Sequence, residues 1–96
     1  MSEISKLTEL RKLMLEMERA MGLQELSAVE RDVYYAVADL SGPAAGAKTT
    51  SLLGHDLISD VSRPTFFRAL KSLVGKGYIA QCTTSSRGRY RIKRAE

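Results

Sequence analysis

Residues 62–79 read SRPTFFRALKSLVGKGYI, and this stretch decides the fold. Ser62 is a favoured N-cap residue, and Pro64 falls in the first turn, where its missing amide hydrogen has no helical partner to lose. At about 100° per residue, the apolar positions fall on one side of a helix: Phe66, Ala69, Leu70 and Leu73. Arg68 and Lys71 fall on the opposite side. The stretch therefore predicts a capped amphipathic helix whose cations lie away from the core.

After this helix, the spacing of the apolar residues changes from a helical pattern to one typical of β-strands. We expect the helix to end near Gly75, with Gly77 in the turn that follows. Residues 78–83 are strand-like, residues 85–89 form a polar turn, and residues 90–93 alternate apolar with basic side chains. This pattern is typical of a β-hairpin with a charged tip. The hairpin and the residues just after it carry five cations: Arg87, Arg89, Arg91, Lys93 and Arg94.

Two helices are predicted between residue 27 and this segment. Residues 27–30, Ser-Ala-Val-Glu, match a capping box, in which the serine hydroxyl and the glutamate carboxylate each bond one exposed backbone amide. Helical spacing of apolar residues continues to Leu40, and a small-residue connector follows at 41–47. Residues 48–58 predict a third, short helix, and 59–61 predict a turn. The apolar contacts expected from the short helix are Leu52, Leu53 and Leu57.

The predicted order of elements is helix, helix, short helix, capped helix and hairpin. A mainly α (α+β) winged helix-turn-helix has this order, with its last helix in the major groove of DNA and its hairpin, or wing, on the adjacent groove or backbone. Basic residues on an outer helix face are usually only solvated. A hairpin, however, has no folding need for flanking arginines, so the combination favours duplex-DNA binding.

Residues 62–79 also resemble the recognition helix and strand entry of bacterial winged-helix regulators of the MarR type, and the resemblance extends over about residues 28–93. It implies DNA contacts from the recognition helix, at about residues 62–76, and from the wing, at about residues 85–91. The recognition-helix contacts it implies are Ser62, Arg63, Thr65, Phe67 and Arg68, and those in the wing are Arg87 and Arg89. Lys71 joins this set because it shares the outer helix face with Arg68. The chain departs from that family in lacking a long C-terminal dimerisation helix.

The N-terminal residues contain a second pattern. Leucines and methionines recur at spacings of 3, 4, 3 and 4, as at the seam of a coiled coil: Leu7, Leu10, Met14, Met17 and Met21. Residues 1–22 are therefore predicted as an amphipathic dimerisation helix, and residues 23–96 as the DNA-binding domain. Packing of the seam on the chain's own domain is the alternative. Self-association is favoured because a winged helix already closes its own core.

Composition and charge limit the classes of function that this sequence can have. The net charge is +4, but residues 1–47 carry −3 and residues 48–96 carry +7. This asymmetry suggests that one surface of the protein binds a polyanion. No arrangement of residues matches a catalytic or metal-binding motif, so we expect neither an enzyme nor a cofactor. No apolar run approaches the roughly 20 residues that span a bilayer. The single cysteine, Cys82, excludes an internal disulfide, and a cytoplasmic, nucleoid-associated protein is expected.

A few single residues have competing interpretations. His55 is expected at the surface or as a cap, and Cys82 as a packed residue in a strand rather than a redox sensor. Phe67 either completes the core or touches a thymine methyl group. Of the adjacent Tyr34 and Tyr35, one is expected to pack on the core and the other to meet solvent or a partner.

The sequence thus predicts a sequence-specific transcriptional regulator that binds duplex DNA as a homodimer. It leaves the target sequence, the direction of regulation and any small-molecule effector undetermined. A winged-helix adaptor that binds another protein and no DNA is the alternative function.

Overall fold

The computed structural model describes residues 2–41, 46–82 and 88–93. Its elements, in chain order, are α1 (Glu3–Ala20), a 3-10 turn (Leu23–Glu25), α2 (Ala28–Leu40), β1 (Ala47–Lys48), α3 (Thr49–Leu53), α4 (Arg63–Lys76), β2 (Ile79–Gln81) and β3 (Arg89–Ile92). The strands form one antiparallel sheet in the order β1-β3-β2. The mainly helical α+β class predicted from the sequence is confirmed.

The core lies where α2 and α4 pack against each other and against the sheet. The predicted inner face of α4 is confirmed, because Phe66, Ala69, Leu70 and Leu73 are all buried. Residues from every element after α1 join them, and the largest fully buried side chains are Phe66, Leu23, Leu52, Ile58, Leu73, Ile79, Val33 and Val37. The core therefore closes without the apolar seam of α1.

The predicted helix boundaries rest on local hydrogen bonds that the structure shows. Ser27 Oγ accepts from the Glu30 amide at 3.2 Å, and Glu30 Oε1 accepts from the Ser27 amide at 2.8 Å, which confirms the capping box. Gly77 adopts a φ of 84°, and its amide bonds back to carbonyls of the last turn of α4. This left-handed conformation favours glycine because it has no Cβ.

The predicted third helix is wrong in its extent. It was expected over 48–58, but α3 covers only Thr49–Leu53. The Gly54 and His55 amides bond carbonyls three residues back, and His55 Nδ1 accepts from the Leu57 amide at 3.1 Å, so the chain continues as turns rather than helix. Leu57, expected as an apolar contact of that helix, is 44% exposed. His55, expected at the surface or as a cap, is half-buried, and its Nε2 lies 2.9 Å from Asp39 Oδ2.

Strand β1 was not predicted, because its two residues were assigned to the connector and to the third helix. It pairs with β3, with Ala47 opposite Tyr90 and Lys48 opposite Arg89. Two residues are too short to show a period, so the hydrogen bonds to β3 define this strand. Strand β2 is also shorter than the predicted 78–83, and residue 83 lies outside the described residues, as does most of the predicted turn.

A buried carboxylate joins α2 to α4. Glu30, only 8% exposed, accepts hydrogen bonds from the hydroxyl of Ser72 and from the Ser27 amide, and Lys76 Nζ lies 3.1 Å from Glu30 Oε2. The Ser72 hydroxyl and then the Ser27 amide lower the pKa of Glu30 to about 2. The capping box was predicted, but the two contacts with α4 were not.

Replacing this carboxylate by its amide gives a pH-dependent loss of stability. Because its pKa is lowered on folding, ionised Glu30 stabilises the fold above pH 4.5, and this contribution is lost as the pH falls toward 2. We expect Glu30→Gln to lower the free energy of unfolding by about 2 kcal/mol at pH 7 and by much less near pH 2.5. Urea unfolding at both pH values measures this. The exposed-carboxylate control, Glu16→Gln, should match the parent, and an equal loss at both pH values would contradict the role of the charge.

Two glycines at the end of α4 should respond oppositely to alanine. A Cβ at Gly75 would meet nothing within 4 Å, so Gly75→Ala should stabilise the fold by about 0.5–1 kcal/mol through helix propensity. A Cβ at Gly77 also finds open space but is strained by the φ of 84°, so Gly77→Ala should destabilise by about 1 kcal/mol. Thermal unfolding of the two variants tests this, and a stabilising Gly77→Ala would refute the assigned helix end.

Candidate nucleic-acid interface

Helix α4 carries three exposed cations: Arg68 and Lys71 on its outer face, and Arg63 on the shoulder beside Phe67. Packing of the opposite face on the core turns Arg68 and Lys71 to solvent, as the sequence predicted. Among residues 2–41, 46–82 and 88–93, the ion pairs are Glu9–Lys12, Asp39–His55 and Glu30–Lys76. No carboxylate in those ranges therefore neutralises the outer face of α4.

The N-terminus of α4 places two hydroxyls beside this face. Ser62 Oγ accepts from the Thr65 amide at 3.3 Å and donates to Thr65 Oγ1 at 2.9 Å. The structure thus brings the two predicted contact residues together, with Ser62 exposed and Thr65 half-buried. The positive end of the helix dipole favours an anion at this position. Serine, threonine and arginine here form a set of donors suited to phosphate and to guanine O6 and N7.

Phe67 lies on the edge between the buried and the exposed side of α4. Its ring meets that of Phe66 edge-on, with centroids 5.0 Å apart, and the residue remains 44% exposed. It therefore extends the core without being enclosed by it. An apolar surface therefore remains available on the shoulder of α4 beside Arg63.

The sheet supplies a second group of cations. Lys48 and Arg89 are directly opposite in the β1–β3 pair, and Arg91 follows two residues along β3 on the same face. The other face of β3 packs Tyr90 and Ile92 against the core. Like charges directly opposite each other in a sheet repel, and this pair gives that face of the sheet a positive charge. Sequence reasoning missed Lys48, because no local signal pairs it with a residue 41 positions away.

Arg89 also has a structural contact. Its guanidinium donates to the Gly46 carbonyl at 3.4 Å, and the residue is half-buried. The neighbouring Gly88 carbonyl accepts from the Thr49 amide at 2.8 Å and from Thr49 Oγ1 at 2.9 Å. These bonds fix the start of β3 beside the start of α3. The other predicted wing residue, Arg87, lies outside the described residues.

The predicted dimerisation residues lie in α1 or just after it, away from the core. Leu7, Leu10, Met14, Met17 and Met21 are all exposed, by 42 to 62%. The tie between α1 and α2 lies elsewhere on the helix, where the buried Glu18 accepts a hydrogen bond from the Tyr35 hydroxyl. Burial, and then this bond, raise the pKa of Tyr35 to about 12. Tyr34 packs in the core, edge-on to Tyr78, as predicted for one of the two tyrosines. Tyr35 was expected to meet solvent or a partner, but it is half-buried and also packs against the core.

Comparisons with protein-family models, with curated proteins and with solved structures find no match for this chain. The likeness to MarR-type regulators therefore rests on the residues of this sequence. None of the helices within the described ranges has the length and apolar character needed to cross a bilayer. In the same part of the chain, no three histidine, cysteine or acidic residues are grouped as a metal site.

Proposed function

We infer that this chain is a winged helix-turn-helix transcriptional regulator of the MarR type, which binds duplex DNA sequence-specifically as a homodimer. Helix α4 is the recognition helix, and the β2–β3 hairpin is the wing. Such a protein acts in the cytoplasm, on the nucleoid. The observation that carries the proposal is the row of unneutralised cations on α4, exposed because the other side of the helix is buried.

The arrangement of side chains on α4 supports separate roles in base recognition and in phosphate binding. Arg68 is three residues from Lys71 on the same stripe, so a helix lying in a major groove would present both to the DNA together. An arginine at a base edge reads guanine, whereas a lysine near the rim holds a phosphate as a point charge. We therefore assign base recognition to Arg68, phosphate contacts to Lys71, Ser62 and Thr65, and a thymine methyl contact to Phe67.

The sheet supports the wing assignment. Lys48, Arg89 and Arg91 lie on one face of the sheet, and the bonds from Thr49 to the Gly88 carbonyl fix the start of β3. Cations on a fixed sheet face contribute to affinity for any duplex through phosphate contacts and counterion release. In a homodimer, two recognition helices would enter successive major grooves about 34–36 Å apart, and the preferred site would be close to palindromic.

The Arg68→Ala and Lys71→Ala variants separate the two roles on α4. Arg68→Ala should weaken binding to the selected site by about 10- to 100-fold and relax specificity at one base position. Lys71→Ala should weaken binding similarly on all sequences and reduce the slope of log K against log salt by about 1. Gel shift or fluorescence anisotropy on a duplex selected from a random pool measures both.

A charge-matched control distinguishes these effects from loss of net charge. Arg19→Ala removes one cation from the exposed part of α1 and should leave binding within about twofold of the parent. Wild-type chain that binds no duplex below about 10 µM at moderate salt would refute the proposal and favour the protein-binding adaptor.

The sheet face gives a further prediction. The Lys48→Ala and Arg91→Ala double variant should lose affinity equally for selected and random duplex, and its salt slope should fall by about 2. Both side chains are exposed, so the unfolding temperature should stay near that of the parent. Titrations at 50 to 200 mM salt check this, and unchanged binding to random duplex would show that the sheet face does not contact the backbone.

A further inference from the structure

The apolar seam of α1 is exposed along its length. On the helix, the seam is centred about a quarter-turn from the side where Glu18 and the half-buried Leu15 lie. The bond from Tyr35 to Glu18 ties that side to α2. The chain's own core is already closed, so nothing in the described residues covers the seam.

The exposed apolar area is large for a single chain. Ile4, at 70%, and Leu13, at 53%, widen the stripe formed by the five seam residues. Together these seven side chains expose on the order of 600 Å², near the upper limit of apolar patches on monomers and close to the ~800 Å² that each partner buries in a standard interface. A partner of similar length and pattern would cover it.

The methionine end of α1 borders a groove. Met14, Met17 and Met21 line it on one side, Leu23 and Leu57 contribute to the others, and its volume is about 460 Å³. Leu57 is exposed because it faces this groove and not the core. Flexible methionine side chains adapt to an incoming apolar group, whereas the branched leucines at the other end of the seam have a fixed shape.

We propose that the seam of α1 pairs antiparallel with the α1 of a second copy of this chain, so that the leucine end of each helix packs on the methionine end and groove of the other. This deepens the proposed function by naming the dimer interface. It requires no DNA, so it can fail independently of DNA binding.

Charges favour the antiparallel orientation. In a parallel pair, Lys6 of each helix would lie beside Arg11 of the other, giving two contacts between like charges. In a fully overlapped antiparallel pair, Lys6 lies beside the partner's Ala20, and like charges meet only at the two Arg11 side chains near the two-fold axis. A parallel pair would also leave both grooves without a leucine end to fill them.

The mass of the DNA-free protein tests the pairing. Light scattering after gel filtration should give twice the 10.6 kDa chain mass at 10 to 100 µM. The seam variant Leu10→Glu with Met17→Glu should give the monomer mass, with at least a 100-fold rise in Kd. The charge-matched variant Thr8→Glu with Lys12→Gln, off the seam, should remain dimeric. A monomeric parent at 100 µM, or a seam variant as dimeric as the control, would overturn the proposal.

Cross-linking tests the orientation. In a Cys82→Ala background, chains with Leu7→Cys are mixed with chains carrying Met17→Cys and oxidised. An antiparallel pair brings position 7 of one chain beside position 17 of the other. The two copies of position 7 would lie about 15 Å apart along the helix, too far for a disulfide. The expected product is the mixed covalent dimer, identified by mass. Efficient dimerisation of the Leu7→Cys chain alone would show a parallel pair and overturn the orientation.

Two further measurements, of the folding of the seam variant and of DNA binding by the parent, separate a failure of the α1 pairing from a failure of the proposed DNA function. The seam variant should retain the circular dichroism and unfolding transition of a folded domain, because the core excludes the seam. If α1 pairs but the parent binds no duplex, only the proposed DNA function fails. If the parent binds duplex sequence-specifically but as a monomer on a single half-site, the α1 pairing and the homodimer fail, and DNA recognition by α4 stands.

Discussion

The carboxylate of Glu30 is the interaction on which the arrangement of this protein depends. It completes the cap of α2 while accepting from Ser72 and pairing with Lys76, so one side chain joins the start of one helix to the last two turns of another. Being nearly buried, it holds its charge only because every contact donates to it. Helix α4 is thereby fixed in rotation as well as position, and its Arg68 and Lys71 side must face solvent.

The internal contacts of acidic residues explain why the basic surface stays uncompensated. Three carboxylates of the acidic first half are engaged within the domain: Glu18 with Tyr35, Glu30 with α4, and Asp39 with His55. Arg68 and Lys71, the cations on the outer face of α4, have no such partners of opposite charge among the described residues. Lys48 and Arg89, opposite each other in the sheet, are two of the ten cations in the second half of the chain.

Helix α1 differs from the other helices because one of its sides is bonded to its own domain and another side, the apolar seam, is exposed. Its Glu18 side is held by α2 through the Tyr35 hydroxyl, and the strong upward shift of the pKa of Tyr35 reflects the burial of that contact. Its seam lies a quarter-turn away and is uncovered. The bond between Glu18 and Tyr35 orients α1 on the domain, so the seam faces a defined direction. A dimer formed through the seam would therefore set the spacing between the two α4 helices.

The sequence by itself determined the features that depend on neighbours within one or two turns: the capping box at Ser27, the buried and exposed sides of α4, the left-handed Gly77, and the seam of α1. Only the tertiary structure decided the rest. It shortened α3, created β1, placed Lys48 beside Arg89, and brought Ser72 to Glu30 across 42 residues. Periodicity and capping are local and leave a signal in the chain, whereas a two-residue strand or a distant hydrogen bond exists only once packing has brought its partners together.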